Sequence, residues 1–310
     1  MRIAVLGTGG VGGYFGAKLA AAGHRVVFIA RGKHLEAMRQ QGLTVKSQQG
    51  DLHVRDASFI SDPAAAGAVD CVLVCVKSYD TEACARILGP LIAEETAILS
   101  LQNGIDNPDK LAAVWGKERV FAGVVYVASQ LCAPGLIQHS AAGRIIFGPL
   151  ERHRTAAAER LGQVLAAAFP CDVDPEIRRA QWLKLLWNAP FCALACLARA
   201  NTREILESPS LSLLATDCMQ EVRAAAQAHG IDLETETIDR TLAFSRTLGD
   251  FKPSMLQDLE AGKPLEHDAF NGIVVRSLER VGKRAPLNRV FYLTLSYLDG
   301  KIRGHWKGGR

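Results

Sequence analysis

Apolar positions in the first half of the chain form short unbroken runs separated by segments of helical spacing. Arg2–Leu6 is one such run and ends at Gly7; residues 25–30, 71–76 and 97–101 are others. An unbroken apolar run of this length predicts a strand buried on both faces. Between these runs, residues 14–22 carry Phe15, Leu19 and Ala22 at helical spacing and stop at Gly23. Residues 35–41 form a second helical segment stopped by Gly42, and residues 81–88 a third. Strands alternating with helices predict a parallel sheet covered on both sides. From Phe121 to Phe147 the pattern turns β-rich around Pro134-Gly135, which predicts an antiparallel extension.

After about Asp174 the strand signal stops. Residues 176–200, 211–229, 235–247, 253–262 and 267–282 all read as helices, with Gly230, Gly249, Gly262 and Gly282 at or near their ends. Residues 172–175 are the best junction, giving domains 1–174 and 175–310. No internal repeat or low-complexity stretch interrupts either half, and residues 304–310 read as a frayed end.

Composition narrows the class. The chain has 310 residues, 48% of them hydrophobic and 22% charged, which fits a globular protein of two domains. Lys and Arg number 36 against 32 Asp and Glu, a net +4 with no basic block. That argues against nucleic acid or a membrane surface as partner and leaves a small anion as a comfortable one. No apolar run approaches the roughly 18 residues of a membrane span. A glycine-rich turn begins at Gly7, where a secretory leader would still be apolar, so a cytoplasmic location is expected. The eight cysteines lack CxxC pairing; Cys71/Cys75 and Cys192/Cys196 lie in apolar segments and read as small buried hydrophobes, with no metal site.

Gly7-Thr8-Gly9-Gly10-Val11-Gly12 matches G-x-G-x-x-G and joins the first strand to the first helix. In that place Gly7 permits a tight turn, Gly9 lets a pyrophosphate approach the backbone, and Gly12 lets helix pack on strand. The helix N-terminus offers unpaired N–H groups to phosphate. The fold class expected is therefore α/β: a Rossmann-type doubly wound sheet with an antiparallel extension, followed by an all-α C-terminal domain. An Asp or Glu at the end of the second strand would read the ribose 2′-hydroxyl. Here the chain runs Phe28-Ile29-Ala30-Arg31, with Lys33 nearby, so a 2′-phosphate and hence NADP are favoured. Lys77 and Asn103 follow the strands at 71–76 and 97–101, at the sheet edge where doubly wound folds bind ligands.

In the second half, Lys184 lies inside a strongly apolar helix, and Lys184, Asn188 and Cys192 share one face at i, i+4, i+8. Either the lysine snorkels to solvent, or it faces the cleft between the domains, where desolvation lowers its pKa into a useful acid range.

Together these residues resemble the ketopantoate reductase family (2-dehydropantoate 2-reductases). The segments Gly7–Gly13, Arg31, Val76-Lys77-Ser78 and Leu101-Gln102-Asn103-Gly104 look like that family's cofactor half, and Pro134 to His139 with Ile146-Phe147-Gly148 its extension. Trp182-Leu183-Lys184-Leu185 with Asn188 resembles the helix bearing its catalytic lysine. Ser254-Met255-Leu256-Gln257-Asp258 and Glu266-His267-Asp268-Ala269-Phe270-Asn271-Gly272 resemble its paired carboxy-terminal motifs. The resemblance implies NADPH-dependent reduction of the C2 ketone of 2-dehydropantoate to (R)-pantoate, for pantothenate and coenzyme A synthesis. It implies Lys184 as proton donor, and Glu266 at the lysine, the nicotinamide ribose or the substrate hydroxyl. It also implies Thr8, Gly10 and Val11 at the cofactor with the motif glycines, Asn103 between nicotinamide and substrate, and Asn188, Cys192 and Ser254 at the substrate.

Two positions depart from the family pattern. Cys192 stands where an asparagine is expected and Leu265 where a threonine is; a further polar contact falls at Thr202 or its neighbour Asn201. A thiol is a weak donor and a poor acceptor. The exact 2-oxo acid therefore stays open between 2-dehydropantoate and another bulky 2-oxo acid. A non-catalytic NADPH-binding sensor is the reading from a different class. The chain is compatible with a monomer or a homodimer.

Overall fold

The structure is a computed structural model and describes residues 1–151 and 156–305. It contains two compact units, Met1–Ile177 and Arg178–Arg310. Of the frayed end expected at 304–310, residues 306–310 lie outside the described residues.

The first unit holds strands β1 (Arg2–Leu6), β2 (Arg25–Ile29), β3 (Leu43–Ser47), β4 (Leu52–Val54), β5 (Ser58–Ile60), β6 (Cys71–Val74), β7 (Ala97–Ser100), β8 (Val120–Ala133), β9 (Leu136–Pro149) and β10 (Cys171–Val173). Its helices are α1 (Gly10–Ala21), α2 (Gly32–Gln41), α3 (Thr81–Ile87), α4 (Asn107–Trp115) and α5 (Ala156–Ala166). The sheet runs β4-β3-β9-β8-β7-β6-β1-β2-β5, with β10 beside β9. From β5 through β2, β1, β6 and β7 to β8 every pairing is parallel, in the order of a Rossmann sheet. The chain changes direction of travel across the sheet between β1 and β6, which puts the glycine-rich turn at the switch point.

Both faces of this core are buried, as the unbroken apolar runs require. Ile3 and Val5 of β1 and Cys71 and Leu73 of β6 feed one apolar cluster. Their neighbours Ala4, Leu6, Val72 and Val74 feed the cluster on the opposite face.

The antiparallel extension is the long hairpin β8–β9, turning at Ala133–Leu136. One end of β9 pairs with β3 through Leu136–His139, and the other with β10 through Ile145–Phe147. The hairpin lies over α1: a Cβ on Gly13 would sit 2.8 Å from Ile137, and the Tyr14 ring stacks on His139 at 4.2 Å.

Strands β3, β4 and β5 carry no readable period, being three to five residues long with polar residues interleaved. The strand expected at 71–76 ends at Val74, because the chain turns at Cys75, whose N–H bonds Leu6 O at 2.8 Å.

The second unit is helical: α6 (Ile177–Ala198, starting at the boundary), α7 (Thr202–Glu207), α8 (Pro209–Ala228), α9 (Glu236–Thr247), α10 (Ser254–Glu260), α11 (Ile273–Glu279) and α12 (Pro286–Ile302). Among the described residues it has no strand. The helix expected over 267–282 is two pieces: a π-helical turn, Asp268–Gly272, runs into α11. Helix α12 is not evident from the pattern because Val290, Leu293 and Tyr297 lie exposed and blur its apolar face. Among the described residues, no helix is long and apolar enough to cross a membrane.

Candidate functional site

The glycine-rich turn leaves β1 with Gly7 at φ +96°, where any side chain would be strained and would meet the Val76 N at 2.8 Å. Gly12 lies so close to β1 that a Cβ would overlap the Gly7 carbonyl, so the helix can approach the strand only without a side chain. Gly9, by contrast, faces open space: a Cβ placed there would meet nothing within 4 Å beyond its chain neighbours. It precedes α1, whose first turn carries no acidic residue and whose N-cap has no side chain to occupy the free N–H groups. Such a cradle, open at Gly9 and rich in unpaired donors, fits a dinucleotide pyrophosphate. Thr8 is buried, its hydroxyl donating to Ile29 O at 3.2 Å.

Arg31 lies two residues past β2 as the N-cap of α2, in extended backbone and exposed. A cation, not a carboxylate, thus stands at the ribose-reading position.

Lys77 and Asn103 follow β6 and β7, both partly exposed. A buried polar network holds their loops. Ser100 donates to Gln102 Oε1 at 3.1 Å, and Gln102 donates to Thr81 Oγ1 at 2.6 Å. Thr81 Oγ1 lies 2.8 Å from Asn107 Oδ1, and Asn107 donates to the main-chain oxygen of Asn103 at 2.7 Å. Sequence reasoning missed this network because its members are polar singletons on four separate segments.

In the second unit, α6 brings Lys184, Asn188 and Cys192 onto one face; Asn188 and Cys192 are buried and Lys184 keeps some surface. Desolvation brings the Lys184 ammonium down to about 8, opposed first by Glu266 and then by Cys192. Glu266, 3% exposed, therefore lies within electrostatic reach of an amine far away in the sequence.

The elements bearing the two are tied together. Asn271, in the π-helical turn after Glu266, donates to Ala189 O of α6 at 3.1 Å and to Asn288 Oδ1 at 2.9 Å. Asn288 in turn donates to Glu221 at 2.7 Å, and the Glu221 carboxylate caps the start of α12 by accepting from Leu287 N and Asn288 N at 2.9 and 2.8 Å. π-Helical turns recur at functional sites, where they re-aim side chains. Only the motif spacing around Asn271-Gly272 hinted at this arrangement.

Ser254 is exposed at the first position of α10. Asn201 and Thr202 have local structural work. The Asn201 side chain accepts from Glu204 N at 3.0 Å in a capping box, and the buried Thr202 hydroxyl donates to Phe251 O at 2.9 Å. All eight cysteines are free thiols; burial pushes Cys71 up to about 12, consistent with inert packing residues.

The family model for ketopantoate reductase PanE/ApbA matches residues 3–152, and the model of its C-terminal part matches residues 176–298. The chain belongs to the ketopantoate reductase family. A 2-dehydropantoate 2-reductase of Mesorhizobium japonicum is 30% identical over 308 residues, covering 92% of this chain and 94% of its own. The crystal structure of 2-dehydropantoate 2-reductase from Geobacter metallireducens GS-15 superimposes with a TM-score of 0.91 at 34% identity, covering 96% of this chain and 99% of that one. D-mandelate dehydrogenase, solved with NADH and anilino(oxo)acetate, shares the fold at a TM-score of 0.91 and 22% identity, covering 98% of this chain and all (100%) of its own. Ketopantoate reductases are oxidoreductases, and this fold therefore serves more than one 2-oxo acid chemistry. Within the family frame, Cys192 and Leu265 remain the departures, and both are buried beside the Lys184–Glu266 pair or next to it in sequence.

Proposed function

We propose that this protein is a cytoplasmic NADPH-dependent reductase that converts the C2 ketone of 2-dehydropantoate to (R)-pantoate. The observation that carries the proposal is Lys184: a lysine desolvated to a pKa of about 8 with a buried carboxylate, Glu266, holding part of its charge. Bound NADPH would supply the hydride. Gly7, Gly9 and Gly12 with the start of α1 would hold its pyrophosphate, and Arg31 its 2′-phosphate. A ketone carbon that gains hydride leaves negative charge on oxygen. The Lys184 ammonium stabilises that charge and passes its proton from Nζ to the oxygen, closing the balance of one hydride and one proton per alcohol. Glu266 keeps the amine protonated near neutral pH and helps return its proton after turnover. Asn103, Asn188 and Ser254 offer neutral donors to the substrate, orienting it without adding titrating charge.

One observation favours a second reading: buried Cys192 stands at the Lys184 face where the family carries an amide. That suits a bulky 2-oxo acid less polar than 2-dehydropantoate. Following reduced-nicotinamide absorbance across a panel of 2-oxo acids decides between them. In the same assay Lys184→Ala should bind NADPH yet lose on the order of 10²–10⁴ in kcat. Retained activity in that variant overturns the assignment of the acid, and inactivity of the unsubstituted protein toward every 2-oxo acid overturns the reductase itself.

A further inference from the structure

His34 stands in the first turn of α2, three residues beyond Arg31. Its Nε2 lies 2.6 Å from the main-chain oxygen of Thr8, and its Nδ1 accepts the main-chain N–H of Gly135 at 2.9 Å. A carbonyl only accepts and an amide N–H only donates. The ring must therefore carry its proton on Nε2 and leave Nδ1 bare, so two backbone partners dictate one neutral tautomer.

Those partners belong to separate pieces of the first unit. Thr8 is the second residue of the glycine-rich turn, and Gly135 forms the apex of the β8–β9 hairpin at φ +78°. The same hairpin covers the turn elsewhere: Ser129 O lies so close to Gly10 that a Cβ there would overlap it. Thr8 O and the Gly9 N–H are part of one planar trans peptide and point in opposite directions. Fixing the carbonyl on His34 thus aims the Gly9 N–H to the far side of the peptide, at the glycine whose surroundings are open.

We propose that His34 is a positioning residue for dinucleotide binding, whose neutral ring orients the Thr8–Gly9 peptide so that its N–H meets the pyrophosphate. The inference rests on reading the glycine-rich turn as a dinucleotide site. It also makes the clamp sensitive to acid. Burial holds the ring below its ordinary value of 6.5, with the Thr8 carbonyl partly opposing. The turn and the hairpin apex meet the ring with backbone groups, and Arg31, Lys33 and Glu36 are the charged residues of its own stretch. Protonation puts a second N–H on Nδ1, donor against the Gly135 donor, and the clamp opens.

The test is titration of the ligand-free protein with NADPH, read by nicotinamide fluorescence, alongside thermal unfolding. His34→Ala should raise the NADPH Kd about 10-fold, the worth of one lost neutral hydrogen bond, while kcat at saturating cofactor stays unchanged. His34→Gln, whose amide can donate to Thr8 and accept from Gly135, should recover most of the affinity. Having no proton to gain, it should also lose less affinity than the unsubstituted protein as pH falls from about 7 to about 5.5. Unchanged affinity in a folded His34→Ala protein overturns the proposal, as do parallel pH profiles for His34→Gln and the unsubstituted protein. Should His34→Ala fail to fold, the His34→Gln profile decides alone. If the unsubstituted protein binds neither NADPH nor NADH, it is the dinucleotide reading that fails.

Discussion

Glu266 works against the burial that weakens the Lys184 ammonium: desolvation brings the amine from 10.5 down to about 8, and the carboxylate pushes it back up. A proton donor must be protonated to act, so kcat should hold at neutral pH and fall as pH rises through about 8. Glu266→Gln removes the opposing charge while keeping the shape. Its alkaline limb should therefore move to lower pH, by about one pH unit. A kcat–pH profile of each protein checks this, and a limb that moves upward or stays in place contradicts the pairing.

The glycine-rich turn separates folding from binding at two of its positions. Gly12→Ala drives a methyl group into the Gly7 carbonyl, where backbone cannot yield cheaply, so the ligand-free protein itself should lose stability, by about 1–3 kcal/mol. Gly9→Ala places its methyl in open space and should leave the unfolding midpoint unchanged. That methyl nevertheless occupies the cradle offered to phosphate, so NADPH affinity should fall about 10-fold or more. Urea unfolding and NADPH titration of the two variants distinguish the roles; a destabilised Gly9→Ala protein would show the cradle to be filled by the protein itself.

The contrast between legible and hidden parts follows from the same physics. Strands β1, β2, β6 and β7 show in the sequence because burial on both faces forbids polar interruption. Strand β4, with His53 at its centre, is too short to display any period. The glycine fingerprint is legible because its steric demands are local. The Lys184–Glu266 pairing is not, since it depends on the π-helical turn and on Asn271 reaching Ala189 O, contacts between segments far apart in the chain. Lys184 could be singled out as a lysine within an apolar helix, but only the fold supplies the carboxylate that tunes it. The clamp formed by His34 left no trace in spacing, because both its partners are main-chain atoms, which any sequence possesses.

Arg31 carries the cofactor preference. It is exposed at the end of β2 with no carboxylate in its place, so a ribose 2′-phosphate finds a guanidinium where a 2′-hydroxyl would find no acceptor. One charge-assisted contact contributes about 1.5–3 kcal/mol, or roughly 10–100-fold in kcat/KM for NADPH over NADH. Arg31→Ala should lose most of that ratio through NADPH alone, leaving NADH kinetics nearly unchanged. Equal efficiency with both cofactors before substitution would remove Arg31 from the cofactor site.

Cys192 decides which 2-oxo acid the site prefers. It is 1% exposed, lies one helical turn beyond Asn188, and its charge state bears on Lys184, so it belongs to the lysine face of α6. Thr202 cannot readily replace the missing amide, because its hydroxyl proton is committed to Phe251 O. If 2-dehydropantoate is the substrate, one of its polar groups meets a thiol where an amide would bond it, at a cost of about 0.5–1.5 kcal/mol. Asparagine has nearly the volume of cysteine, so Cys192→Asn introduces the donor and acceptor with little repacking. KM for 2-dehydropantoate should then fall roughly 2–10-fold, with KM for NADPH unmoved. If the natural substrate is a less polar 2-oxo acid, the same amide is left unpaired against an apolar group and KM for that substrate rises instead. The sign of the KM change therefore identifies the substrate class. An unchanged KM for every 2-oxo acid, with the fold intact, would turn this face of α6 into the helical core and remove Cys192 from the pocket.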